Sequence, residues 1–309
     1  MALKLPLATN TFKHSSRAIT IIITHPSQLH TTKPNLIAPR RRTLSTGTTT
    51  MTSTTTTTAV PNSFDLYTYF RSSCAARLRI ALELKGIPYT PHFVNLLKGE
   101  QFSDQHKRLN PTATVPVLVA HYLSEPTGTA AGGGAAPPRQ PDHEFTIGQS
   151  LAAMEFLEEV MPAASDNNNN NSGLALLPPL SDPQARARVR TVCGIIACEI
   201  QPVTNQRVQK RVKKLDADPT AWANEVASGG FEALEAVLEK TSGGFCVGEK
   251  ISMADVCLVP AVWAAERVGV DVKGLYPVVY GVHERMLAEE AVKKAHWRNQ
   301  PDTPEEFRW

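Results

Sequence analysis

The sequence predicts an α/β half followed by an all-α half, and three observations carry that prediction. From Phe64 to about Ile147 strand-like runs alternate with helical ones. From about Asp182 onward the strand signals give way to long helical windows. Between the two lies a polar stretch with an asparagine run, Asn167 to Asn171, the kind of low-complexity sequence that marks a domain boundary.

The first 62 residues carry Lys4, Lys13, Arg17, Lys33 and Arg40-Arg41-Arg42, are rich in Ser and Thr, and precede the first acid, Asp65. Basic, hydroxylated and acid-free is the composition of a mitochondrial transit peptide, while Met51 offers a start for a shorter cytosolic product. The expected compartment is therefore cytoplasmic or mitochondrial. This leader also explains the formal charge of +3: residues 1–64 hold seven of the 32 Lys and Arg and none of the 29 Asp and Glu, which leaves the remainder at −4. A body of that charge, without a basic stripe interleaved with aromatics, predicts no nucleic-acid partner.

The strand-like run Phe64 to Phe70 hands over to a helix beginning at Ser72-Ser73-Cys74 and closing at Gly86. A helix start offers unpaired N–H groups and partial positive charge, so two hydroxyls and a thiol there form a potential anion site. Alone, the stretch favours a capped helix with Cys74 in the core. Tyr89 to Asn95 is a second expected strand and Leu96 to Leu109 a polar loop with a short helix. Val115 to Ala120 is a third, with Pro116 at its start, where a missing N–H is tolerated. The Gly-, Ala- and Pro-rich residues 123–142 read as an insertion in a hairpin, followed by a strand at Glu144 to Ile147. Gln149-Ser150 then opens a helix to Met161 with an apolar face of Leu151, Met154, Leu157 and Val160.

The expected division is thus a leader at 1–62, an α/β domain at 63–162, a linker at 163–181 and a helical domain at 182–309, each domain with its own core. In the last of these, helical windows run from about Asp182 to Lys214, Thr220 to Lys240 and Met253 to Val268, and Pro277 opens another. Ser252-Met253-Ala254-Asp255 is a capping-box variant before the third window. Gln201 and Asn205, four apart in one window, are expected on one helix face, and Arg267 near a helix end. The tail from Pro301 reads as extended.

The longest apolar run, Val256 to Ala265, is far below the roughly 20 residues of a membrane span. Five cysteines without C-x-x-C and nine histidines without H-x-x-x-H predict neither a disulfide framework nor a metal site.

Five motifs in order give these elements a family likeness: Arg71-Ser72-Ser73-Cys74 with Arg77-Leu78-Arg79-Ile80-Ala81-Leu82; Gln149-Ser150-Leu151-Ala152; Ile200-Gln201-Pro202; Ser252 to Pro260; and Gln300-Pro301-Asp302-Thr303-Pro304. Over about residues 64–309 the chain resembles a cytosolic-type glutathione transferase of the zeta class, whose best-known members are maleylacetoacetate isomerases. The resemblance implies a thioredoxin-like N-terminal domain before the all-helical one, glutathione as cofactor, and a homodimer. It implies Ser72, with Ser73 and Cys74, beside the glutathione sulfur. It further implies Gln101, Val115, Pro116, Gln149 and Ser150 around the tripeptide, with a cis bond before Pro116, and Gln201, Asn205 and Arg267 over the substrate. The implied reaction is glutathione-dependent cis–trans isomerisation of maleylacetoacetate to fumarylacetoacetate in phenylalanine and tyrosine breakdown. Alternatives are conjugation of glutathione to electrophiles such as α-halo acids, and a non-catalytic binding module. Ala76 and Thr114 depart from the family pattern, where an aromatic residue and a Gln are common.

Overall fold

The computed structural model describes residues 60–123, 143–162 and 173–309. The leader, most of the 123–142 insertion and the Asn run lie outside the described residues.

Four strands form one sheet: β1 (Ser63–Thr68), β2 (Thr90–Phe93), β3 (Val117–Tyr122) and β4 (His143–Ile147), in the order β2-β1-β3-β4. β1 alternates, with Phe64, Leu66 and Thr68 buried, so one face of the sheet is committed to packing. β1 and β2 are parallel and joined through α1 (Ser73–Leu84); β3 and β4 are antiparallel neighbours, the hairpin arms expected around the insertion. α1 stops because Gly86 takes φ +63°, which lets the Gly86 and Ile87 N–H groups turn back to the Glu83 and Leu82 carbonyls. α2 (Asp104–Leu109) and α3 (Ser150–Val160) complete this half.

The single helical window expected over 182–214 is broken. α4 (Pro183–Gly194) runs into a wide π turn at Ile195–Ile200, then α5 (Gln201–Thr204), and α6 (Gln206–Lys213) starts afresh. Pro202 is the cause: it lacks an N–H for the carbonyl four residues back and its ring crowds that turn, so the chain widens, with the Gln201 N–H reaching Ile196 O. Asn205 is extended, at φ −71° and ψ 162°. The expected common helix face of Gln201 and Asn205 therefore does not exist.

α7 (Pro219–Thr241), α8 (Met253–Arg267) and α10 (Pro277–Leu287) match the remaining windows; α9 (Val272–Leu275) and α11 (Glu290–Ala295) are additional. The capping box before α8 forms as expected: Asp255 is buried and accepts from the Ser252 N–H, the Ser252 hydroxyl and the Cys246 N–H at 2.7–2.8 Å. The tail is not wholly extended, because Glu305–Phe307 makes a 3-10 turn.

Among the described residues the main apolar core is not divided between the halves, and a smaller cluster gathers Tyr69, Phe70, Val94 and Val115. One apolar cluster runs from Phe64, Leu66 and Leu118 through Leu78 and Leu82 to Val189, Phe231, Val259 and Met286. α1 is the shared wall, packing on α3 on one side and on α8 and α11 on the other. Arg79 reinforces this junction. Fully buried, it donates to Thr68 Oγ1, Tyr69 O and Phe70 O and, across to α11, to Ala295 O. Burial pushes its pKa down to about 10, and four acceptors compensate the charge.

Candidate active site

The turn from β1 into α1 places Ser72 as the helix N-cap. Its Oγ accepts the Ala75 N–H at 3.2 Å, leaving the hydroxyl proton free to be donated, and the side chain lines a cavity of about 840 Å³. Ser73 and Cys74, both half-buried, line the same cavity. Burial pushes the Cys74 thiol pKa up; Arg77 and a bond with Ser73 oppose this without reversing it. Cys74 is therefore held as a thiol at neutral pH, which suits a supporting residue better than a nucleophile.

The start of α3 points into the same space. Gln149 is its N-cap but its side chain makes no capping hydrogen bond, and Ser150 is the first helical residue rather than a plain cap. Ser150 Oγ instead accepts from Arg77 Nη1 at 3.2 Å, a buried contact that ties α3 to α1. Gly148 allows the approach: a Cβ there would fall 2.8 Å from Asn110 Oδ1. Asn110 in turn donates to Thr114 O and Thr114 Oγ1, and His106 Nε2 also meets Thr114 O at 2.9 Å. This network sets the loop that carries Val115 and Pro116. The Val115–Pro116 bond is cis, and the Val115 N–H and C=O have no hydrogen-bond partner among the described residues. Gln101, buried on the 3-10 turn Glu100–Phe102, lines the cavity with its Oε1 unpartnered among the described residues.

From the helical half come Gln201, Asn205 and Arg267. Asn205 spends its amide locally, Oδ1 capping the Val208 N–H at 3.0 Å and Nδ2 donating to Pro202 O at 2.7 Å. Arg267, at the end of α8, donates to Trp263 O at 3.0 Å. Although the residue is exposed at the cavity wall, lost solvation of its charged end, and next the Arg71 guanidinium, push its pKa down to about 10. Arg267 still carries its full charge at neutral pH.

Arg71, Arg77 and the outer face of α6 are what the sequence reading passed over. Seven cations line the cavity: Arg71, Arg77, Arg207, Lys210, Arg211, Lys214 and Arg267. No Asp or Glu does. Arg207, Lys210, Arg211 and Lys214 follow the i, i+3, i+4, i+7 spacing of one helix face, so the signal was in the sequence. The arrangement therefore selects for anions: two helix N-termini, a hydroxyl donor, an unpaired backbone segment at Val115 and, among the described residues, charged lining that is all cationic.

Comparison with known proteins agrees with this architecture. The family models described as Glutathione S-transferase, N-terminal domain and C-terminal domain match residues 71–160 and 221–290. A probable glutathione S-transferase of Coccidioides immitis is 56% identical over 80% of this chain and 98% of its own length. Maleylacetoacetate isomerase maiA of Aspergillus fumigatus is 54% identical over 79% and 94%, and the maleylacetoacetate isomerase of Rattus norvegicus 42% over 79% and 96%. Among solved structures, a holo maleyl pyruvate isomerase, a bacterial zeta-class glutathione S-transferase, superposes with a TM-score of 0.62 at 34% identity, covering 78% of this chain and all of that one. Maleylacetoacetate isomerase of Anaeromyxobacter dehalogenans, with dicarboxyethyl glutathione and citrate in its active site, also gives 0.62, at 32% identity over 79% and 94%. The chain belongs to the glutathione S-transferase family, in the zeta class of the maleylacetoacetate isomerases.

Proposed function

We propose that this protein isomerises maleylacetoacetate to fumarylacetoacetate with glutathione as cofactor. The observation that carries the reading is the cavity itself, where the free Ser72 hydroxyl at a helix N-terminus faces a wall of cations and no carboxylate. The residues present fit glutathione. Val115 offers an unpaired N–H and C=O to the cysteinyl backbone, Gln101 Oε1 is an unmet acceptor, and Gln149 and Ser150 at the start of α3 take the γ-glutamyl carboxylate. Bound glutathione supplies a thiolate, the nucleophile that adds reversibly to a conjugated cis double bond so that the bond can rotate.

Ser72 donates its O–H to that sulfur. A thiol with a pKa near about 8.5 is only a few per cent ionised at neutral pH, and a hydroxyl donor plus the α1 dipole favour the anion. Ser73 and Cys74 shape the pocket around it. Arg71 and Arg267 bind the carboxylates of the substrate, with Gln201 beside them; Asn205 acts through the start of α6 rather than by contact. Two guanidiniums on one cavity suit a dicarboxylate better than a monocarboxylic α-halo acid, which favours isomerisation over conjugation. We further propose that the sheet half holds glutathione and the helical half the substrate, that the chain pairs as a homodimer, and that the leader directs a mitochondrial form while Met51 starts a cytosolic one.

The test is turnover of maleylacetoacetate by the full chain at substoichiometric glutathione, with Ser72→Ala beside it. Many turnovers per glutathione are expected. One glutathione consumed per product formed would make the protein a conjugating transferase, and no turnover of either kind would leave a binding module.

A further inference from the structure

Gln300-Pro301-Asp302-Thr303-Pro304 lies at the far end of the chain from the residues that hold glutathione, yet it folds back onto the turn before Ser72. Asp302 Oδ2 accepts the Phe70 N–H at 2.8 Å, across 232 positions of sequence. Gln300 anchors the segment by donating to Lys294 O and His296 O at 2.9 and 3.0 Å, and the Thr303 hydroxyl donates to Trp297 O. Phe307 then packs on Phe70, ring centroids 6.4 Å apart and planes 24° from parallel.

Arg71 sits at the point this contact reaches. Its guanidinium has no carboxylate partner among the described residues, and it lies 5.8 Å from the Phe70 ring centroid and 5.6 Å from that of Phe307. The backbone under it is held from two sides, by Asp302 on the Phe70 N–H and by Arg79 on Phe70 O. An unrestrained Arg loses rotamer freedom when it closes on an anion. A side chain already flanked by two rings, on a backbone pinned by buried bonds, has lost that freedom before the ligand arrives.

We propose that the C-terminal segment is part of the substrate site, with Asp302 and Phe307 as positioning residues that aim Arg71 at a substrate carboxylate. The inference rests on the reading of Arg71 given above, and it assigns the tail no contact with glutathione.

The experiment uses the full chain and measures KM for maleylacetoacetate, kcat and the glutathione Kd for Phe307→Leu, Phe307→Tyr, Asp302→Ala, Arg71→Met and Arg71→Met combined with Phe307→Leu. Leucine keeps apolar bulk but removes the π face, so Phe307→Leu raises KM about threefold while kcat and glutathione Kd stay within twofold. Tyrosine keeps the ring and leaves KM unchanged. Asp302→Ala frees the Phe70 N–H and moves KM in the same direction as Phe307→Leu. Arg71→Met raises KM about tenfold or more, and adding Phe307→Leu to it changes nothing further, because the ring acts through the guanidinium. An unchanged KM in Phe307→Leu, an equal loss of glutathione affinity, or effects of the two substitutions that simply multiply would each overturn the tail's role. If Arg71→Met itself leaves KM unchanged, the assignment of Arg71 fails and the tail's role falls with it; if Arg71→Met raises KM and Phe307→Leu does not, only the tail's role fails.

Discussion

The Ser72 hydroxyl accepts from Ala75 and keeps its own proton for the cavity, so removing it acts on two quantities. Ser72→Ala loses a helix cap, about 1 kcal/mol in denaturant unfolding. It also loses the donor to the reacting sulfur, roughly 10²-fold in kcat by analogy with removal of one oxyanion donor. An unaltered kcat would show that the α1 N–H groups suffice. His283 gives a second residue-scale expectation. It is buried, its Nδ1 has no hydrogen-bond partner among the described residues, and burial pushes its pKa down to about 4 from 6.5. The unfolded chain therefore takes up a proton before the folded one does. The stability carried by the neutral ring is full above about pH 6.5 and is lost as pH falls toward about 4, at up to roughly 1.4 kcal/mol per pH unit. His283→Gln, compared with the parent by urea unfolding at about pH 7 and about pH 5, should shrink the difference between the two pH values by about 2 kcal/mol.

Among elements, α8 depends most on a single carboxylate. Asp255→Ala removes three hydrogen bonds and leaves the Cys246 N–H buried and unpaired, so the midpoint of urea unfolding should fall by the equivalent of about 3 kcal/mol, against about 1 for Ser252→Ala. This box was legible in the sequence because all its partners but Cys246 lie within four residues. Ser72 and Gln149-Ser150 were legible for the same reason, each being a local helix start. Gln201 and Asn205 were misread because spacing alone does not reveal that Asn205 leaves the helix as the extended N-cap of α6. The cationic face of α6 was readable from its spacing, yet its meaning depends on facing a cavity. The part of the tail lay beyond any local pattern, because 232 positions separate Asp302 from Phe70.

For the whole molecule, a formal net charge of only +3 conceals a strongly cationic entrance. Exposed Arg207, Lys210, Arg211 and Lys214 stand on one face of α6 at the cavity. They should steer a dianion, so kcat/KM for maleylacetoacetate should fall several-fold between about 10 and about 150 mM salt. Replacing Lys210 and Lys214 by Gln should flatten that dependence while leaving glutathione affinity near its parent value. Arg79 joins the turn before Ser72 to Ala295, and Asp302 joins it to the tail. A chimera that paired this sheet half with the helical half of a distant relative would have to reproduce at the seam both the carbonyl that meets the Arg79 guanidinium and the carboxylate that meets the Phe70 N–H. The two halves therefore do not behave as interchangeable cassettes: sulfur activation and substrate choice are inherited together.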